Sequence, residues 1–348
     1  MPAATPGTPP PVLTDGVVTL RPWRDTDAAA AHAGHDEHAA RWSDAPVPDS
    51  VEGWHALVAQ WRVEHAEGRR FSFVIEAEDA PVGVVELEPT DAHSATLSYW
   101  LHAGRRGRGF ATRGVRVAVD WALSRAGEGG GGFSRVEAHL EPGNESSLRV
   151  ATRSGLQREG LRRIVPGTGA RAAAESYVVL ARLATDPPLT DPGAFRTLLN
   201  SFLPRKRAIG QMLVCDAEDR VLLCQLTYKR DWDLPGGVVE VGESPRLAVS
   251  REVEEELGLD VPAGALLLTD WLPPWGGWDD AVCLVFDGGT HPASLVDAVV
   301  KQAREIRDAR FCTLAEVEEH CADFTARRIR AALEARRTGR AAYTESGA

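Results

Sequence analysis

Two stretches of this sequence gather residue types that do chemistry at regular spacing. The first runs from Leu234 to Leu259, LPGGVVEVGESPRLAVSREVEEELGL. A Pro-Gly-Gly turn leads to Glu243 and then to a run of helical composition. With Pro245 in the first turn, where a missing N–H costs nothing, residues three and four apart share a face. Glu252, Glu255 and Glu256 then fall on one side and Glu254 nearly opposite. Val249, Val253 and Leu257 make an apolar stripe, and Gly258 ends the helix as a left-handed cap. Three carboxylates on one turn repel each other. Hard oxygen donors with no His or Cys nearby suit Mg²⁺ or Mn²⁺, and Mg²⁺ brings a phosphate partner. Arg251 lies one turn before Glu255 and can orient it by a charged hydrogen bond. Without the glycine turn and Glu243, a solvated acidic helix face would be the plainer reading.

The second stretch is GRRGRGFATRG, Gly104 to Gly114, with a helical run after it. A strand, a turn rich in Arg and Gly, and a helix N-terminus make an anion site. Backbone N–H groups converge there and the helix dipole adds attraction. The glycines let the backbone come close to the ligand. A surface loop with exposed arginines is the plainer alternative.

Both stretches resemble known families. Gly237, Glu243, Arg251, Glu252, Val253, Glu255, Glu256, Gly258 and Leu259 fill every specified position of the Nudix box, G-x5-E-x7-R-E-U-x-E-E-x-G-U, with U apolar. That resemblance implies metal-assisted attack of water on a nucleoside diphosphate derivative. It also implies metal ligands at Glu252, Glu255 and Glu256, with Glu243 and the Gly236 carbonyl nearby. Arg106, Gly107, Arg108, Gly109, Phe110 and Ala111 resemble the R/Q-x-x-G-x-G/A loop with which GNAT acetyltransferases hold the pyrophosphate of coenzyme A. In that family the preceding strand splays from its neighbour, and its backbone pairs with the pantetheine arm. Trp100, Leu101 and His102 stand at the matching place. The segment FSRVEAHLEPGNESSLRVATRSGLQREGLRR resembles the ribosomal-protein N-terminal acetyltransferase branch. By that resemblance Asn144 holds the cofactor arm and Ser147 is a candidate acid for the leaving thiolate. Asn144 also reads as a helix cap. Glu86 and Glu88, on one face of their strand, are the nearest candidates for the base that takes the amine proton.

The elements that must hold these residues need two domains, which 348 residues accommodate. The fold class is α/β (α+β): a GNAT acyl-CoA acyltransferase fold, then a Nudix α/β/α sandwich. The expected division is a disordered lead-in over 1–13, an acetyltransferase domain over 14–184, a linker over 185–204, a hydrolase domain over 205–338 and a flexible tail over 339–348. ATDPPLTDPG, Ala184 to Gly193, is the composition break that marks the linker, and a short helix is expected after it. In the first half, Asp25 to Asp27 can cap a helix running to about Arg41. Its His32, His35 and His38 lack an acidic or Cys partner that would complete a metal site. The run Gly127 to Gly132 reads as a flexible connector. In the second half, WLPPWGGWDD, Trp271 to Asp280, sets three tryptophans in a Gly/Pro loop. They can stack on a purine or pack against the protein. Glu305 is an extra carboxylate candidate near the metals.

A net charge of −11 argues against non-specific nucleic-acid binding. It leaves nucleotides open, because a cation supplies the local positive charge. Five cysteines without a CxxC spacing read as free thiols of a reducing cytoplasm. No apolar run reaches the ~18 residues of a membrane span, and the N-terminus lacks the basic start of a signal peptide. The expected ligands are acetyl-CoA with a primary amine (a peptide N-terminus or a small molecule), and Mg²⁺ or Mn²⁺ with a nucleotide. The alternative is a Nudix hydrolase whose GNAT domain serves as an acyl-CoA-binding regulatory module.

Overall fold

The computed structural model describes residues 11–43, 47–164, 176–228 and 230–348. The chain divides into two compact units, Met1–Leu203 and Pro204–Ala348.

The first unit opens with β1 (Leu13–Thr14), β2 (Thr19–Arg21), α1 (Asp27–Gly34), α2 (Glu37–Arg41) and α3 (Val51–Ala66). There follow β3 (Phe71–Ala77), β4 (Ala80–Pro89), β5 (Ser94–Leu101), α4 (Phe110–Leu123) and β6 (Arg135–Leu140). The unit closes with α5 (Glu145–Arg153), β7 (Gln157–Arg163), β8 (Ser176–Leu183) and α6 (Pro192–Phe202). Among the described residues the sheet order is β1-β2-β3-β4-β5-β6-β8-β7, with β5 and β6 the parallel pair. A parallel pair needs a crossover, and α4 supplies it. Phe71, Phe73, Ile75, Val85, Leu87, Val115 and Val119 fill the core between α4 and the sheet. Trp23, Trp54, Trp61, Val74 and Val84 make a second, aromatic core on the other face.

The second unit contains β9 (Arg207–Cys215), β10 (Val221–Leu226), β11 (Trp232–Asp233), β12 (Gly236–Val238), α7 (Pro245–Leu257), β13 (Leu266–Leu272) and β14 (Ala281–Thr290). It ends with β15 (Ile306–Cys312), α8 (Leu314–His320), α9 (Asp323–Thr338) and β16 (Ala342–Glu345). Among the described residues the order is β11-β10-β9-β14-β13-β16, with β12 on β9 and β15 on β10. Strand alternation divides the interior. Met212, Val214, Val249, Val253 and Leu257 pack under α7. Leu213, Cys215, Leu268, Ile329 and Ala332 pack under α9.

Several expectations are corrected. Of the lead-in 1–13, residues 1–10 lie outside the described residues, while Leu13 already pairs with Leu20 in β1 and β2. The linker 185–204 contains α6. Asp191 caps it by accepting from the Gly193 and Ala194 N–H groups at 2.6 and 3.1 Å. Ala194 and Leu198 are buried, and Phe202 packs on the first core. The prolines there start a helix; they do not hold the chain open. The tail 339–348 is not loose: β16 runs parallel to β13, from Leu268↔Ala342 to Trp271↔Glu345. Its anchor is Asp270, fully buried, which accepts from Thr344 Oγ1 at 2.7 Å and from the Gly347 N–H at 2.8 Å. Arg328 Nε donates to the same carboxylate at 2.8 Å. The helix expected to reach Arg41 breaks at His35, because Asp36 turns to cap α2 through the Ala39 N–H at 2.9 Å. The glycine run is tied down, with Gly131 N–H on Trp121 O and Gly132 N–H on Ser124 O, both at 2.8 Å. A Cβ on Gly130 or Gly131 would lie 2.5 or 2.7 Å from the backbone that ends α4, so glycine is needed for packing there.

Candidate functional site

In the second unit the Pro-Gly-Gly turn brings β12 beside β9 and under α7. Gly236 has φ of 134°, and a Cβ there would meet the Gly210 carbonyl oxygen at 2.2 Å. At Gly237 a Cβ would meet the Glu252 carboxyl at 2.6 Å. The two glycines therefore let a strand and a carboxylate occupy space a side chain would fill. Glu256 is 5% exposed and accepts from the Gly236 N–H at 3.0 Å. Burial pushes its carboxyl up to about 7, and Glu252, Glu305 and Asp233 push the same way. Burial also raises Glu252, with Glu255 and Glu305 adding to it. Glu305 and Asp233 thus belong to the same electrostatic cluster. Asp233 was not singled out from the sequence, although it stands just before the Leu-Pro-Gly-Gly turn.

Arg251 holds the other side. It donates to Glu243 through Nε and Nη2, both at 3.0 Å, and to Glu255 through Nη1 at 2.9 Å. Nη1 also lies 3.1 Å from Glu252. The bond from Arg251 holds the Glu243 carboxyl below its ordinary value. Among the described residues no three His, Cys, Asp or Glu side chains converge as a ready metal cage. Glu255 is drawn outward to Arg251, while Glu252 and Glu256 face inward. The donor set still fits a hard divalent cation: several carboxylate oxygens, two of them raised by burial and mutual repulsion, and one arginine between them.

In the first unit β4 and β5 pair without a break from Gly83↔Leu101 to Pro89↔Ala95. On its other side β5 pairs with β6 at Ser94, Ala95 and Thr96 alone. Beyond Thr96 the two parallel strands part, and the backbone of 97–101 faces the gap. Trp100, Leu101 and His102 line its end. The Trp100 ring lies 4.8 Å from His35, 5.8 Å from Trp54 and 5.4 Å from His102, within the aromatic face of the sheet. Burial, with Arg105 next, pushes His102 down to about 4.

The glycine loop follows. Gly107 and Gly109 have φ of 76° and 81°, and Gly109 begins α4 with no side chain capping it. Phe110 and Ala111 thus open the helix with its N–H groups presented to the loop. The arginines are engaged elsewhere. Arg106 donates to both Asp36 oxygens, at 2.8 and 2.6 Å, and to the Leu101 carbonyl at 3.1 Å. This holds the Asp36 carboxyl well below the usual carboxylate range. Arg108 pairs with Glu78.

Asn144 is 5% exposed and caps α5, accepting from the Ser147 N–H at 3.2 Å. Tyr99, on the splayed strand, donates its hydroxyl to the Ser147 carbonyl at 2.7 Å. Tyr99 was not read from the sequence; its hydroxyl reaches across 48 positions, which no local spacing reveals. Glu86 and Glu88 share the face of Trp100, and both meet Arg70, at 3.4 and 2.9 Å. Burial raises the Glu86 carboxyl. Of the loop tryptophans, Trp275 and Trp278 are exposed. His32, His35 and His38 join no metal-binding group of described residues.

Comparison with known proteins matches residues 18–157 to the acetyltransferase (GNAT) domain family and residues 204–333 to the NUDIX domain family. The probable N-acetyltransferase YjcK of Bacillus subtilis is 29% identical over 119 residues, 33% of this chain and 63% of that protein. The 8-oxo-dGTP diphosphatase of Proteus vulgaris is 36% identical over 69 residues, 19% of this chain and 62% of that protein. The chain thus spans less than two thirds of the length of either relative. A solved structure of Mycobacterium smegmatis RimJ in complex with CoA-disulfide aligns at a TM-score of 0.45 and 27% identity, over 57% of this chain and 96% of that one. The chain carries a GNAT acetyltransferase domain followed by a NUDIX domain, each a mixed α/β fold with eight strands in its sheet among the described residues. No described helix is long and apolar enough to cross a membrane.

Proposed function

We propose that the GNAT domain transfers the acetyl group of acetyl-CoA to a primary amine, on a peptide N-terminus or a small molecule. The NUDIX domain, in the same reading, hydrolyses a nucleoside diphosphate derivative or nucleoside triphosphate with Mg²⁺ or Mn²⁺. The observation that carries the second half is Glu256, buried on a backbone N–H and pushed up by its acidic neighbours. Glu252, Glu255 and Glu256, with Glu243 and the Gly236 carbonyl, would hold the cation. When bound, the cation neutralises diphosphate oxygens and makes water a stronger acid. The chain's own part is to hold the ligands: the Gly236 N–H fixes Glu256, and Arg251 fixes Glu243. Glu255 must leave Arg251 to complete the set.

For acetyl transfer, the parted strands expose β5 backbone to the pantetheine arm, and the uncapped start of α4 takes the pyrophosphate. The amine nitrogen attacks the thioester carbonyl, and the C–S bond breaks. Glu86, directly or through water, takes the amine proton, and Ser147 gives a proton to the thiolate. Tyr99 positions Ser147 through its carbonyl. One observation favours a binding module instead: both base candidates face Arg70.

The test is a two-part panel on the full chain. Thiol release from acetyl-CoA is followed with peptides, polyamines and aminoglycosides. Nucleoside triphosphates, ADP-ribose and dinucleotides are incubated with Mg²⁺ and their products identified. Silence of every amine while acetyl-CoA still binds supports the module. Failure of every nucleotide overturns the hydrolase reading.

A further inference from the structure

Strand β6 carries a bonded row of polar side chains beside the gap in the first sheet. Val136 and Ala138 face the core under α4, together with Ala95 and Leu97 of β5. Strand alternation turns Arg135, Glu137 and His139 to the other face, where Thr96, Ser98 and Trp100 also lie. Arg135 Nε donates to Glu137 Oε2 at 2.9 Å, and His139 Nε2 lies 3.1 Å from Glu137 Oε1. The Glu137 carboxylate, paired with Arg135, only accepts. The imidazole proton therefore sits on Nε2, and the lone pair is left on Nδ1. The Tyr177 ring of β8 stacks beside the imidazole, with centroids 6.4 Å apart and planes at 26°.

Position gives the row its task. The last rung between β5 and β6 is Thr96↔Glu137. His139 is two residues past it, so it stands across the widening gap from Ser98. On the other flank Ser98 is paired with Glu86 of β4. A carboxylate and an imidazole thus stand on either side of Ser98, on one face of the sheet. The other charged groups around them are Arg70, which meets Glu86, and Glu141, which pairs with Arg41 of α2 at 3.5 Å. An acyl-CoA arm laid along 97–101 from the start of α4 brings its thioester to this end.

A primary amine arrives at neutral pH as an ammonium; a peptide N-terminus titrates at about 7.7–8.0. It must lose one proton before it can attack and a second after the C–N bond forms. We infer that His139, held by Glu137, takes the first proton through Nδ1 and so makes the nucleophile. The free amine attacks the thioester carbonyl, whose π electrons move to oxygen. Glu86 takes the second proton, the C–S bond breaks, and Ser147 protonates the thiolate. The proton on Glu86 replaces the one Ser147 gave, and the proton on the imidazolium leaves to water. This rests on the acetyl-transfer reading above and divides its proton transfers between two residues.

The experiment uses the full chain with His139→Gln and His139→Ala. Acetyl transfer to the tripeptide Ser-Gly-Ala and to spermidine is followed from neutral to alkaline pH. At neutral pH each variant should lose about 100- to 10,000-fold in kcat, the usual worth of a general base. Acetyl-CoA affinity, read by calorimetry, should not change. The loss should shrink once the pH passes the amine's own pKa, because a free amine no longer needs the base. Added imidazole should restore part of the rate to His139→Ala. An unchanged kcat overturns the inference. A loss of the same size at every pH, or one that comes with weakened acetyl-CoA binding, overturns it too, as a structural effect. A second measurement needs no turnover. Imidazole resonances of the unaltered chain, assigned by their absence in His139→Gln, are followed while acetonyl-dethio-CoA or adenosine bisphosphate is added. The His139 signals should move with the first, which carries the unreactive acyl end, and stay still with the second, which lacks the arm. If neither amine is acetylated, the transfer reading falls. His139 signals that ignore acetonyl-dethio-CoA overturn the inference by themselves.

Discussion

The two units solve opposite electrostatic problems with the same residue. In the GNAT domain the ligand expected at the glycine loop is an anion, yet Arg106 and Arg108 are bound to Asp36 and Glu78. What remains for the anion is backbone: the start of α4 after Gly109, where no side chain caps the helix. In the NUDIX domain the expected ligand is a cation, and Arg251 is bound among Glu243, Glu252 and Glu255. What remains there is an excess of carboxylate, buried and raised. In each case the arginine organises the acids around the site and contributes little free charge. The sign of a site therefore follows from what its internal ion pairs leave over, and a count of charges in the motif does not give it.

The comparison breaks or sharpens under substitution. The largest effect should come from Glu252→Gln. Removing groups that merely orient metal ligands costs about 10- to 100-fold, so losing an inward-facing ligand should cost at least about that much of the metal-dependent hydrolysis. Acetyl transfer should be unaltered, since that residue lies in the other unit. Retained hydrolysis would remove the metal assignment. Next is Gly109→Ala. A left-handed backbone at a residue with a Cβ is strained by about 1–2 kcal/mol, and acetyl-CoA affinity should fall by roughly tenfold as the helix start shifts. Arg108→Ala should matter less, under about fivefold, because it breaks an exposed ion pair. Equilibrium titration with acetyl-CoA ranks the two, and a larger loss for Arg108→Ala would reverse the comparison.

The last expected effect is on stability against pH. His102 titrates at about 4 in the fold and near 6.5 in an unfolded chain. The unfolded chain binds the extra proton between those values, so stability declines as pH drops from about 6.5 towards 4. Melting curves across that window should show the decline, and His102→Gln should flatten it. A decline of the same size in that variant assigns the effect to other groups.

What the sequence made legible was local. The nine matching positions of the acidic box and the glycine loop recur at fixed spacing on one helix or one turn, and periodicity carries them. The loop of Trp275 and Trp278 was visible as composition, though its two exposed rings were not. The parts that were missed have partners far along the chain. Asp270 meets Arg328 58 residues on and Thr344 74 residues on, so the closing strand looked like a polar tail. The α6 helix was expected as a short helix beyond the linker, but its burial against the first core is tertiary and left no local signal. The bond of Arg106 to Asp36 spans 70 positions, so the glycine loop gave no sign of it. Spacing reports which residues share an element, and it is silent on which elements meet.

β16 is four residues long and lies on the open side of β13. A short outer strand gives a neighbouring molecule little to pair with. A cut in the turn at Gly339, however, would free β16 while leaving the slot and its buried Asp270 intact. The same segment of another chain fits that slot equally well, so nicked protein should take up an added peptide of residues 340–348 in place of its own.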